Sequence, residues 1–429
     1  MRNFFGNPEK WKVMPFALAL LLPSPQWTAQ AGCGVKSSLE ITQPAVRVVG
    51  INRLNPTTVE VLFSDNQRMT LDFYGKNVFR MFQDNGGGIL RDPKAEPEAK
   101  ILVNSPRKSV TELVLGDENG AVSVSTSKIK VVLDKATSLM KVVNLETGAV
   151  VMEETAPVLF DKNEVTLKLK EAPDEYFYGG GVQNGRFSHK GRKIAIENQN
   201  SWTDGGVASP NPFYWSTKGY GIMWYTFKKG AYDFGREEAG VVKLSHETDY
   251  LDLFVMVNDG AVALLNDFYQ LTGNPVLLPK FGFYQGHLNA YNRDYWKEDE
   301  NGILFEDGKR YKESQKDNGG IKESLNGEKN NYQFSARAVI DRYKSHDMPF
   351  GWLLPNDGYG AGYGQTGTLD GNVQNLKDLT TYAHKNGVEI GLWTQSDLHP
   401  KAGVEPLLQR NIVKEVRDAG VRVLKTDVA

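Results

Sequence analysis

Between about residues 38 and 270, apolar and polar residues alternate in short runs with a period of two. Examples are Thr58-Val-Glu-Val-Leu-Phe63, Val110-Thr-Glu-Leu-Val-Leu115, Val122-Ser-Val-Ser125, Lys128-Ile-Lys-Val-Val-Leu133, Val165-Thr-Leu-Lys-Leu169 and Tyr250-Leu-Asp-Leu-Phe-Val-Met-Val257. Successive side chains of a strand point to opposite faces, so this rhythm predicts half-buried strands. Asp117-Glu-Asn-Gly120 and Glu146-Thr-Gly148 supply turn chemistry between runs, as antiparallel hairpins require. A β-sandwich over residues 32–275 is the expectation.

After about residue 278 the pattern becomes apolar strand, polar loop, amphipathic helix, repeated. Strands are predicted at Phe281-Gly-Phe-Tyr-Gln285, Pro349-Phe-Gly-Trp-Leu-Leu354, Val388-Glu-Ile-Gly-Leu-Trp393 and Val421-Arg-Val-Leu-Lys425. Helices are predicted over Ser335–Ser345, over Asn372–Asn386 before Gly387, and over Leu407–Ala419 before Gly420. Such βα units imply parallel strands over 276–429. The spacing suits four strands of a (β/α)8 barrel and an open doubly wound sheet equally. Residues 297–331 interrupt the first unit with a run rich in Lys, Glu, Asp, Asn and Gly, which predicts a solvated surface insertion.

At 429 residues the chain is too long for one core, so more than one domain is expected. The formal net charge of −2 carries no basic excess for a phosphate backbone, which argues against a nucleic-acid partner. Arg2, Lys10 and Lys12 precede the apolar run Phe16–Leu22, and Ala29-Gln30-Ala31 follows; residues 1–31 read as an export signal. A secreted or periplasmic protein is expected, with a lipid anchor on Cys33 as the alternative. The apolar run is shorter than a membrane span. Cys33 is the only cysteine, so no intramolecular disulfide forms. The six histidines have no metal-ligand spacing, and neither a metal nor a cofactor is expected.

In parallel α/β architectures ligands meet the carboxyl ends of strands. Those positions hold His287, Asn289 and Tyr291 after the first strand, and Asn356, Asp357 and Tyr359 after the second. Trp393, Gln395, Asp397 and His399 follow the third, and Asp427 the fourth. Carboxylates, amides and aromatic faces together suit a sugar, whose hydroxyls demand paired hydrogen bonds and whose C–H face packs on a ring. Each candidate also has a structural reading. Asp427 matches a helix N-cap equally well, Asn356-Asp-Gly-Tyr is strong turn chemistry, and a Trp ending a strand is more often core.

Over nearly all of residues 32–429 the sequence resembles glycoside hydrolase family 31. Tyr176-Phe-Tyr-Gly-Gly-Gly181, Asn211-Pro-Phe-Tyr-Trp215 and Lys218-Gly-Tyr-Gly-Ile222 look like the part of that family's β-sandwich that reaches over the active site. Pro279 to Tyr284, Met348 to Asp357 and Val421 to Ala429 look like barrel strands one, two and four. The resemblance implies a retaining α-glycosidase with a sandwich followed by the first half of a (β/α)8 barrel, acting on an oligosaccharide or glycoconjugate. It makes Asp427 the nucleophile and gives Asp357, beside Asn356, the sugar hydroxyls. Trp393 joins the same pocket, and His287, Tyr291, Gln395, Trp352 and Lys425 complete the candidate set. The acid/base is implied on a later strand, so residues 1–429 alone are expected to be inactive.

The more familiar family pattern has Trp two residues before the nucleophile and Met-Asn-Glu after it. Here Lys425-Thr-Asp-Val-Ala429, with Pro355-Asn-Asp-Gly-Tyr-Gly360 and Gly391-Leu-Trp-Thr-Gln395, looks more like the subgroup acting on α-galactosides or α-linked N-acetylgalactosamine. An α-glucosidase or α-xylosidase of the same family is the alternative. A noncatalytic carbohydrate-binding protein and a metal-dependent barrel lyase or isomerase are the rivals from other classes.

Overall fold

The computed structural model describes residues 46–88, 90–109, 112–289, 294–355, 369–395 and 412–427. Two compact units divide between Gly273 and Asn274.

The first unit is built from two antiparallel sheets. Eight strands make one sheet, with Val48–Arg53, Thr58–Phe63, Arg68–Phe73 and Val78–Asp84 as successive neighbours, followed by Tyr250–Val257, Tyr220–Trp224, Val207–Ser216 and Phe177–Gln183. The other has nine strands, from Arg192–Ile196 at one edge to Val114–Glu118 at the other. Alternate residues of both sheets, among them Val59, Val61 and Leu71 from the first and Val124, Val131 and Leu167 from the second, share one apolar core. That shared core makes the pair a sandwich. The predicted turn at Asn119-Gly120 joins Glu118 to Ala121 with both central residues at positive φ, 51° and 76°, the primed geometry that matches strand twist. The buried ionisable groups of this unit include an ion pair and a lone carboxyl. Arg80 Nε and Nη2 donate to Asp252 at 2.8 and 2.7 Å, both side chains nearly inaccessible. Glu154, 4% exposed, accepts from Met140 N–H at 2.9 Å.

In the second unit four strands, Gln285–Asn289, Phe350–Pro355, Glu389–Gln395 and Val423–Asp427, form a parallel sheet in chain order. Helices Ala336–Ser345, Leu369–Lys385 and Ile412–Ala419 connect them. Ser335 caps the first helix by accepting from Ala338 N–H. Ile340, Leu376, Leu379 and Ala383 from the helix side pack with Leu353, Ile390 and Leu392 from the sheet.

Two expectations are corrected here. Phe281 to Gln285 is not a strand: Lys280–Phe283 is a 3-10 turn, and the strand begins at Gln285. Pro279 (φ −61°) enters the turn, and the Phe281 carbonyl comes so close to Gly351 that a Cβ there would lie 2.2 Å from the oxygen. Pairing shifts at the same place, since Gln285 opposes Phe350 whereas Gly286 opposes Trp352, leaving Gly351 as a bulge. The hydrophilic insertion is also more than a solvated excursion. Tyr295–Leu304, Arg310–Ser314 and Ile321–Lys322 form a three-stranded antiparallel sheet. Its underside buries Trp296 and Tyr311 with Phe334, flanked by Phe305 and Ile321.

Candidate active site

Register decides which candidates the sheet brings together. Across the third and fourth parallel strands Gly391 opposes Val423, Leu392 opposes Leu424, Trp393 opposes Lys425, Thr394 opposes Thr426 and Gln395 opposes Asp427. Leu392 belongs to the core beneath the helices, so by the period of two positions 391, 393 and 395 occupy the other face. Their partners 423, 425 and 427 share it. Four candidates therefore fall in two cross-strand pairs at the carboxyl end of the sheet: Trp393 with Lys425, and Gln395 with Asp427.

Asp427 is the last residue of the fourth strand rather than two residues beyond it, because the strand runs two residues later than the apolar pattern predicts. Asn356, Asp357 and Tyr291 lie outside the described residues.

Trp352 shares the face but not the height. It opposes Gly286 on one side and Glu389 on the other, at the amino end of the sheet. From Glu389 to Gln395 the third strand advances about 20 Å at ~3.3 Å per residue. Trp352 is instead a floor residue. Its indole lies over Gly286 so closely that a Cβ on Gly286 would meet the ring at 2.1 Å, and only glycine fits beneath it.

His287 faces the other way. It opposes Leu353, whose side chain packs in the core under the helices, and its Nδ1 lies 3.5 Å from Tyr343 Oη on the first helix. The ring meets Tyr343 edge to face. Burial first, and then the Arg342 charge, hold its pKa below the ordinary value, so the imidazole stays neutral at pH 7.

Sequence reasoning missed a group of carboxylates beside His287. Asp294, Glu313 and Glu323 each place an oxygen within 4.8 Å of the others, Asp294 and Glu323 being buried. Glu323 accepts from Trp296 Nε1 at 2.7 Å. Partial burial, then the hydrogen bond and charge of Asp294, push Glu313 up to about 7. At neutral pH Glu313 is therefore divided between its ionised and protonated forms, the usual response of like charges at short range. Only the packing of three separate segments assembles it, and no sequence spacing signals it.

Residues 68–233 match the glycosyl hydrolase 31 N-terminal galactose mutarotase-like domain. That match places residues 68–233 in glycoside hydrolase family 31. Among curated relatives, the α-xylosidase XylQ of Lactiplantibacillus pentosus is 26% identical over 209 residues, covering 47% of this chain and 27% of its own length. An α-xylosidase of Emericella nidulans is 27% identical over 149 residues, covering 34% of this chain and 19% of its own. The chain thus spans less than a third of either relative. In fold, it superposes on the family 31 dextranase of Flavobacterium johnsoniae with a TM-score of 0.65 at 13% identity, covering 82% of this chain and 39% of that one. An α-xylosidase from a soil metagenome gives 0.59 at 14%, covering 80% and 47%.

Proposed function

We propose that this family 31 protein is a retaining α-glycoside hydrolase acting on non-reducing-end α-linked sugars, with Asp427 as its nucleophile. The single observation that carries the reading is the pairing of Asp427 with Gln395 at the carboxyl end of a parallel sheet, in a chain whose preceding domain is of the family 31 type. The four strands are then the first four of a (β/α)8 barrel, and the exposed rim of such a barrel is where substrates bind. Asp427 attacks the anomeric carbon while a carboxylic acid about 5 to 5.5 Å away protonates the departing oxygen. Water then releases the sugar with the same acid acting as base, so configuration is retained. Trp393 and Lys425, one pair below Asp427, line the base of the sugar pocket, and Asn356 and Asp357 take its hydroxyls. The export signal expected at residues 1–31 places the enzyme outside the cytoplasm.

Two substrate readings stand on different observations. The curated relatives reported above are both α-xylosidases, which favours an α-xyloside. Lys425-Thr-Asp-Val-Ala429 favours an α-galactoside or α-N-acetylgalactosaminide. The full-length enzyme assayed on 4-nitrophenyl α-xyloside, α-glucoside, α-galactoside and α-N-acetylgalactosaminide separates them by kcat/KM. Turnover of none of the four, at an enzyme concentration that detects slow hydrolysis, contradicts the proposal.

A further inference from the structure

A cavity of about 300 Å³ lies between the inserted three-stranded sheet and the first βα unit. Trp296, Phe305 and Phe334 wall it, the first and last stacked at 5.5 Å and Phe305 edge-on to Trp296. Glu313, Glu323 and His287 reach it from three different elements. His287 Nε2 is shut off from solvent and has no hydrogen-bond partner, and the neutral ring offers a lone pair there when Nδ1 carries the proton. Arg342 also lines the cavity, its guanidinium ion-paired with Glu306 and lying 5.2 Å over the Phe305 ring. The interior therefore has carboxylate acceptors, an imidazole acceptor and aromatic faces, with no uncommitted positive charge among the described residues.

From this geometry we propose that the cavity is a second binding site, distinct from the rim of the parallel sheet, for a small organic ammonium ion. The ammonium donates to Glu313, Glu323 and His287 Nε2, and its carbon skeleton packs on the apolar wall formed by Trp296 and Phe334. A bare metal ion fits worse, because half of this wall offers no ligand atom and the volume far exceeds one ion. Small-molecule sites begin at about this volume, with mostly apolar walls and a few convergent polar groups. The inference is independent of the proposed glycosidase activity, since His287 faces away from Asp427's side of the sheet.

Titration calorimetry of the full-length protein with D-glucosamine, D-glucose and, separately, CaCl2 tests it. D-glucosamine is expected to bind saturably, and its neutral counterpart D-glucose at least tenfold more weakly. Glu313 is solvent-exposed, so Glu313→Gln is expected to keep the melting temperature while weakening D-glucosamine about tenfold, the loss of one charge-assisted hydrogen bond. Asp427→Asn is expected to leave this binding unchanged. Equal affinity for both sugars, full affinity in Glu313→Gln, or loss of binding in Asp427→Asn would each overturn the site. So would saturable Ca2+ binding that requires Glu313 in a protein that ignores D-glucosamine.

Discussion

Replacing Glu154 by Gln should reshape the pH profile of stability of the sandwich. The carboxyl is buried in the strand Val150–Asp161, with one oxygen accepting from Met140 N–H and the other, Oε1, without a partner. Burial pushes its pKa from 4.5 up to about 8, the Met140 bond opposing this only in part. The folded protein therefore holds a proton that the unfolded chain gives up at ordinary carboxyl pH. That stabilisation is fully present below pH 4.5 and drains away as pH rises through about 8, by up to about 5 kcal/mol for one isolated group. At pH 7 the loss is already about 3 kcal/mol.

Glutamine keeps the acceptor for Met140 and never ionises, but its amide N–H2 presents two donors where the protonated carboxyl presents one, and the second, left unsatisfied, costs about 1–3 kcal/mol. The variant should be the less stable protein at pH 5 and the more stable one at pH 8, the two curves crossing between. Guanidinium midpoints for both proteins at pH 5, 6, 7 and 8, with the same m-value, measure it. Parallel curves across that range would refute the reasoning.

Arg80→Met strands the Asp252 carboxylate in the core and should cost about 3–5 kcal/mol, whereas Arg80→Met with Asp252→Leu should recover most of it; urea melts of the three proteins decide. Trp296→Ala removes the stacked partner of Phe334 and the donor to Glu323. It should expose residues 297–331 to limited proteolysis at an enzyme dose that spares the parent, at a cost of about 3–5 kcal/mol. Under the proposed mechanism Asp427→Asn should lower kcat by several orders of magnitude on the best aryl glycoside with KM little changed, because the lost group acts in bond formation rather than binding.

Thr58–Phe63 and Tyr250–Val257 appear in the structure with the bounds their patterns predict, although only the first keeps a wetter face; Tyr250–Val257 is a central strand buried on both faces, its Asp252 paired with Arg80. The parallel sheet was legible as a rhythm but not in its ends. Both faces of such strands are apolar, so no alternation marks where pairing starts, and the fourth strand lies two residues later than its pattern. Phe281 to Gln285 reads as a strand by composition alone; the turn there depends on the close approach of Gly351, which lies far along the chain. The insertion hid its core because residues 297–331 contribute only Phe305, Tyr311 and Ile321, spaced far apart, while Trp296 and Phe334 come from its flanks. Within the candidate site, sequence order put His287 on one rim with Trp393 and Asp427, and the family resemblance added Trp352 to the same set. Register separates them: a one-residue step turns a side chain to the other face, as for His287, and three pairs along the sheet move Trp352 to its floor.

The central claim is that Asp427 forms a bond to sugar. Incubating the full-length enzyme with a 5-fluoro-glycosyl fluoride of its preferred sugar, then digesting and sequencing by mass spectrometry, tests it most directly. The account predicts one adduct per chain, on the peptide containing Lys425-Thr-Asp427 and located at Asp427, and no adduct in Asp427→Asn. A stoichiometric adduct on any other residue would contradict it.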